Sequence, residues 1–199
     1  MTIQEAPLKD RIIHEALRQF SAKGYMSTSI NDILEAVGTS KGGFYNHFKS
    51  KEELFFAALS EARKIWRQKN LVDLDRWDRP LDKIKQLLEN YRTHYLPDSE
   101  NFPGGCFFVA LAVELHDQQP HLAREINEGF RRFKAMLKRL LDQERQAGVL
   151  KNGVNTEVVA EMIFAAIMGS CVAYASDRSR EHLEQSVEGL IAFLNMIQY

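Results

Sequence analysis

Cysteine is nearly missing from this chain: 199 residues contain two, Cys106 and Cys171. So few thiols exclude a disulfide framework and fit a reducing cytoplasm. The opening Met-Thr-Ile-Gln-Glu-Ala-Pro has neither the cationic start nor the apolar block of a secretion signal. The most apolar stretch, Val158 to Ala175, is interrupted by Glu161, Ser170 and several small residues, which suits a buried helix better than a membrane span. Internal repeats, low-complexity tracts and period-two strands of useful length are also lacking. No nucleophile elbow, P-loop, HExxH motif or paired metal carboxylates occur, so the commoner routes to catalysis have no footing. His116 and His121 cannot join Glu114 or Asp117 around a metal on one helix, because Pro120 falls between them. Neither a metal nor a cofactor is expected. An excess of one charge is missing as well: the net charge of −1 argues against blanket nucleic-acid binding.

What is present is helical periodicity. Leu8, Ile12, Ile13, Ala16, Leu17 and Phe20 recur at helical spacing before Gly24. Thr28 or Ser29 caps a second helix, Ser29 and Asp32 forming a capping box, and Gly38 ends it. A short third helix starts at Thr39 or Ser40 and finishes near His47. Ser50-Lys51-Glu52-Glu53 opens a long fourth helix reaching about Leu71. Pro80 starts a helix that must stop before Pro97. Further helices are expected from Cys106 to about His116, from Pro120, from Thr156 to about Ala175 and from Arg180 to about Ile197. The class is all-α, with about nine helices, and the chain divides into residues 1–50 and a larger helical part, 51–199.

The local charge is more telling than the total. Through Lys51 there are seven Lys/Arg against five Asp/Glu, a balance of +2 that leaves −3 for the rest. Within that quarter, the stretch from Thr39 to Lys51 holds three lysines, a histidine, a tyrosine, two glycines and no acid. Phe44 and Phe48 give it one apolar side, so its polar side can face out. Helix, glycine turn and short helix over residues 29 to 48 make a helix-turn-helix. Gly38 supplies the turn, Thr39 and Ser40 offer hydroxyls to phosphate, and free N–H groups at that helix start favour an anion. Gly42 and Gly43 leave the backbone bare for a base or sugar. The residues expected to meet DNA are Thr28, Ser29, Thr39, Ser40, Lys41, Gly42, Gly43, Tyr45, Asn46, His47 and Lys51.

The run Gly24-Tyr25 … Thr28-Ser29-Ile30-Asn31-Asp32-Ile33 … Ala36-Val37-Gly38-Thr39-Ser40-Lys41-Gly42-Gly43-Phe44-Tyr45-Asn46-His47-Phe48-Lys49-Ser50-Lys51-Glu52-Glu53-Leu54 resembles the TetR/AcrR family of transcriptional regulators. The likeness covers about a quarter of the chain. It implies a homodimer whose two reading heads enter successive major grooves of a palindromic double-stranded operator, about 34–36 Å or somewhat more apart. It also implies a C-terminal pocket for a small-molecule effector and a fourth helix whose tilt sets head separation. Position 43 often carries a side chain in the family, so glycine here removes one possible base contact.

In the larger part, Trp66, Tyr91, Tyr95, Phe107, Phe108, Leu111, Phe130, Phe133, Phe164 and Met168 are candidate pocket walls. No glycine-rich phosphate loop or arginine cluster is evident beside them, so an apolar or aromatic effector is expected rather than a sugar phosphate. Apolar residues Val158, Met162, Leu183, Val187, Leu190, Ile191 and Leu194, with Gly169 allowing close approach, suggest two helices pairing across a two-fold axis. Burial in one protomer's own core is the alternative. Cys106, after Gly104-Gly105 at a helix start, is either a thiol of lowered pKa that senses electrophiles or oxidants, or an inert buried cysteine. A repressor released by its effector is the expected function. A ligand-independent DNA-binding scaffold and, more remotely, a small helical enzyme stand beside it.

Overall fold

The computed structural model describes residues 6–199, so the reading of Met1 to Glu5 lies outside the described residues. Among the described residues there are nine α-helices and no strand. The first four are α1 (Leu8–Lys23), α2 (Ile30–Val37), α3 (Lys41–Tyr45) and α4 (Lys51–Asn70). The rest are α5 (Pro80–Asn90), α6 (Phe107–Gln118), α7 (Pro120–Gln146), α8 (Thr156–Asp177) and α9 (Arg180–Met196).

Local chemistry sets the ends of these helices. Ser29 accepts the Asp32 N–H while the Asp32 carboxylate accepts the Ser29 N–H, which completes the capping box. Gly38, at φ 72°, closes α2 in the left-handed conformation, with the Thr39 N–H returning to the Leu34 carbonyl at 3.0 Å. Ser40 and Ser50 cap α3 and α4. Farther on the caps become tertiary: the buried Glu144 carboxylate on α7 accepts the Leu81 N–H at 2.8 Å and so seals the start of α5.

The helix expected to run from Pro80 to before Pro97 changes character on the way. Its α-helical part ends at Asn90, and Tyr91–Tyr95 form a π turn in which the Leu96 N–H reaches the Tyr91 carbonyl. The wider turn lets Tyr91, Tyr95 and Leu96 all face the core.

One hydrophobic core runs from the N-terminal helices into the body. Phe55 on α4 lies 6.3 Å from Phe20 and 5.2 Å from Tyr25 between ring centres, so the first turns of α4 help to fill the head. The expected division at residue 50 therefore falls at the start of a helix that both parts share.

The last two helices depart from expectation. Leu183, Val187, Leu190 and Leu194, read as a dimer seam, are buried inside the protomer, and Ile191 packs against the same core. Their spacing signals burial, and in this fold α5 and α8 supply it. In contrast α8 keeps Val158, Met162 and Gly169, read with them as seam residues, exposed along one stripe together with Ala165 and Val172. By length and composition α8 could cross a bilayer, yet its other side lies on α7 and α9. A parallel exposed stripe on α9 carries Gln185, Gly189, Ala192 and Met196.

Candidate DNA-reading face and effector cavity

The short α3 stands on two phenylalanines. Phe44 and Phe48 are buried with ring centres 5.6 Å apart. This turns Lys41, Gly42, Tyr45, Asn46 and His47 outward, and Tyr45 is 57% exposed despite its ring. A tyrosine displayed this way on a cationic helix can stack on a sugar or hydrogen-bond a phosphate or base edge. Ser29 and Ser40 accept backbone N–H groups as caps, which leaves each hydroxyl hydrogen free to donate outward. A Cβ at Gly42 would make only an ordinary contact, 3.6 Å from the Ser40 hydroxyl oxygen. A Cβ at Gly43 would sit 2.5 Å from the Thr39 hydroxyl oxygen, so glycine here keeps that hydroxyl in place.

Two expected DNA contacts have other work. Thr28 is 1% exposed, and its hydroxyl donates to the Gly24 carbonyl at 2.7 Å, which turns it into the end of α1. Lys51 is half-buried. Its ammonium donates to the Tyr25 carbonyl and lies 4.2 Å from the centre of the Tyr25 ring. Burial lowers its pKa, with Glu114 and Asp32 pulling the other way. Lys51 is a brace that ties the start of α4 to the turn between α1 and α2.

The same turn is gripped from the body. Glu114 on α6 accepts the Tyr25 and Met26 backbone N–H groups, each at 2.8 Å. Nearby, Ser21 of α1 accepts the Gly104 N–H at 3.2 Å. A Cβ on Gly104 would lie 1.7 Å from the Ser21 carbonyl oxygen, so only glycine permits this approach. Arg18 also donates to the Glu100 carbonyl. The head is thus docked on the loop before α6 and on α6 itself.

Between α4 and α7 lies a cavity of about 230 Å³. Trp66, Tyr91, Phe108, Phe130, Phe133 and Met168, six of the candidate pocket walls, line it. Trp66 packs edge-on to Phe133 at 5.4 Å, and its indole N–H donates to the Tyr91 hydroxyl oxygen at 2.7 Å. Burial pushes the Tyr91 phenol well above its ordinary pKa, so it stays an O–H donor. Phe164 does not line the cavity; it backs Phe130 and Phe133 at 5.4 and 6.1 Å. Tyr95, Phe107 and Leu111 belong to the core behind, where Tyr95 packs on Phe102 at 5.3 Å.

The cavity also holds residues that sequence reasoning passed over: Arg63, Arg67, Leu71, Ile126, Gly129, Arg132 and Met136. Three of them, Arg63, Arg67 and Arg132, are the arginine cluster that the sequence did not show beside the candidate pocket walls. The signal was present. Arg63 stands three residues before Trp66 and Arg67 one after it, while Gly129, Arg132, Phe133 and Met136 follow one face of α7.

Cys106 lies at the buried end of this cavity as the cap residue of α6. A hydrogen bond from Cys171, others from Tyr95 and the backbone N–H groups of Val109 and Phe108, outweigh burial and hold its thiol down to about 7. The same contact pushes Cys171 up. Both thiols are free. Among the described residues no group of three metal-binding side chains gathers.

Comparison with known proteins agrees with this architecture. Residues 12–58 match the family described as bacterial regulatory proteins, tetR family, and residues 80–190 match the tetracyclin repressor-like C-terminal domain. A Lactococcus lactis helix-turn-helix regulator of uncharacterised role is 41% identical over 109 residues, which is 54% of each chain. The transcriptional repressor DhaR from a Mycobacterium species is 23% identical over 180 residues, covering 90% of this chain and 88% of its own. In structure, a TetR regulator from Chloroflexus aurantiacus superposes with a TM-score of 0.88 at 26% identity, over 96% of both chains.

Proposed function

The chain belongs to the TetR family of bacterial transcriptional regulators, and we propose that it is a repressor that grips a palindromic operator as a homodimer and is released by an effector in the α4–α7 cavity. At the coarser level it is a ligand-responsive DNA-binding regulator and not an enzyme. The repressing sign follows the name of DhaR. Acting on DNA, it works in the cytoplasm.

The observation that carries the reading is the course of α4. Its first turn braces the reading head through Lys51 and Tyr25, and its last turns wall the cavity through Arg63, Trp66 and Arg67. An effector wedged against Trp66 therefore bears on the same rigid rod that positions α3. The second link is α6, which begins in the cavity at Cys106 and Phe108 and holds the head through Glu114. Weakening operator binding 100-fold needs about 2.7 kcal/mol of effector preference for the released state, which a largely apolar cavity can supply.

The exposed stripes of α8 and α9 support the dimer. Gly169, Ala165, Gly189 and Ala192 allow close helix approach, and Val158, Met162, Val172 and Met196 provide apolar area to bury. Two reading heads would then face successive major grooves. Mobility-shift measurements on the DNA flanking the gene test the proposal. Wild type should give a salt-sensitive, sequence-selective shift, and Tyr45→Ala should weaken the selective complex by about 10- to 100-fold while changing non-specific binding less. Equal loss in both would remove Tyr45 from the reading face.

One observation favours a second route of release: Cys106 lines the effector cavity with its sulfur 3.5 Å from the Tyr95 hydroxyl oxygen, and its hydrogen bonds lower the pKa of its thiol. A conjugated enone entering there would be attacked by the Cys106 thiolate, forming an S–C bond while the carbon next to the carbonyl takes a proton. The expected result is one added mass on Cys106, at a rate that rises through about pH 7, with loss of operator binding that Cys106→Ser abolishes. Retained operator binding after full modification would remove this route.

A further inference from the structure

Charge at the rim of the α4–α7 cavity bears on what it holds. Three guanidinium groups, Arg63, Arg67 and Arg132, are among its lining residues, and no carboxylate is. Arg67 and Arg132 are exposed, whereas Tyr91 and Cys106 are buried, so the cavity is cationic at its mouth and apolar at depth. Two of the three guanidiniums are held from outside: Arg63 donates to the Glu125 carbonyl at 2.6 Å, and Arg132 to the Glu128 carboxylate at 2.8 Å. Arg67 makes no side-chain hydrogen bond or ion pair among the described residues. It sits one turn above Arg63 on the same face of α4, directly after Trp66.

From this arrangement we infer that the effector is an amphipathic organic carboxylate. Its aromatic or aliphatic body lies among Trp66, Phe108, Phe130, Phe133 and Met168, and its carboxylate meets Arg67 at the mouth. The inference rests on the reading of this cavity as the effector site and adds the chemistry of the head group. The opposite orientation would bury an anion where no cation meets it. A cationic effector would face three guanidiniums, and a neutral one would gain no charge-assisted bond from Arg67. Arginine's planar fork suits a carboxylate because it can donate two parallel N–H bonds. Since Arg67 is on α4, the anion would pull on the rod that carries the reading head.

The test uses the full-length protein and two sets of probes with one body and three heads: 2-naphthoate, 2-naphthalenemethanol and 2-naphthylmethylamine, and octanoate, octanol and octylamine. Affinities come from calorimetry at two salt concentrations, and operator release from mobility shift. In at least one set the carboxylate should bind about tenfold or more tightly than the alcohol, with the amine weakest, and salt should erode that preference. Arg67→Gln should remove about tenfold of carboxylate affinity and leave the alcohol's affinity unchanged, while Arg67→Lys keeps part of it. If Arg67→Gln lowers the melting temperature, Arg67→Met serves as the second variant with the same expected selectivity. Alcohol or amine binding as tightly as carboxylate and releasing operator would overturn the carboxylate inference while the cavity reading stands. Persistence of the full carboxylate preference in both variants would do the same. Absence of binding by all six probes, or binding that leaves operator affinity unchanged, would overturn the cavity reading and this inference together.

Discussion

The reading head and the effector body solve opposite packing problems. The head fills itself completely: Ile12, Leu17, Phe20, Ile33, Phe44 and Leu54 are all fully buried, and Ser29, Ser40 and Ser50 cap its helix starts. The body has long helices and aromatic mass to spare, and it leaves a space between α4 and α7. A unit that must present one rigid face to DNA gains from a closed core. A unit that must change shape with a guest needs an unfilled one. What joins them is a narrow set of contacts: Lys51 and Glu114 on the turn after α1, and Gly104 against Ser21.

That contrast can be broken in several places, and the largest effect is expected where the two stripes would meet a second copy in the proposed dimer. Gly169→Arg on α8 should yield a monomer in sedimentation experiments and lower specific operator affinity by more than about 100-fold, since one head alone contributes roughly half the binding free energy. Leu190→Ala, in contrast, should cost about 2–4 kcal/mol of protomer stability without changing the oligomeric state of the folded protein. Next in size is the dock between head and body. Gly104→Ala places a Cβ inside the Ser21 carbonyl contact and should destabilise by about 2–3 kcal/mol, lowering the melting temperature by roughly 5–10 °C at fixed protein concentration.

Glu114→Gln sharpens the comparison, because it leaves both units intact and weakens their link. Its expected signature is effector binding near the wild-type level, with the ratio of operator affinities without and with effector reduced by about fivefold. A ratio equal to wild type would place the coupling wholly in α4. The smallest effect belongs to Asp98, which ties the loop after the π turn to Lys69 at 2.9 Å. Burial raises its pKa, but Lys69 and Asn101 outweigh that and hold the carboxyl below its ordinary 3.8. A lowered folded-state pKa means its stabilisation is present above pH 3.8 and is lost as pH falls through the folded value. Asp98→Asn should therefore lower stability near pH 6 by less than about 1 kcal/mol, since water screens the partly exposed Lys69, and the difference should shrink toward pH 2.

The two regions also differed in how far they could be read from residues alone. In the head, Ser29 with Asp32, Gly38, Ser40 and Ser50 with Glu53 each act within four residues of themselves, so the helices and the exposed face of α3 were legible. Of the two exceptions, Lys51 meets a partner 26 residues away at Tyr25, and Thr28 is turned in toward Gly24 by the packing of the turn, which no periodicity marks. In the body, helix positions were legible from period and prolines, but which face turned inward was not. Leu183 to Leu194 form a stripe that equally suits a partner chain or the chain's own α5 and α8. The π turn at Tyr91–Tyr95 left no mark in the apolar period.

The sequence by itself determined that this protein is all-helical, where its helices begin, and that residues 29 to 48 form a reading head, because caps, glycine turns and apolar periodicity are local forces. Only the tertiary structure decided that Cys106 and three arginines share one cavity, that Glu114 holds the head, and that of the apolar seam read on the last two helices Val158, Met162 and Gly169 face outward while Leu183, Val187, Leu190 and Leu194 do not. Those facts depend on how helices far apart in the chain cross, and a crossing is fixed by the packing of all the side chains between them.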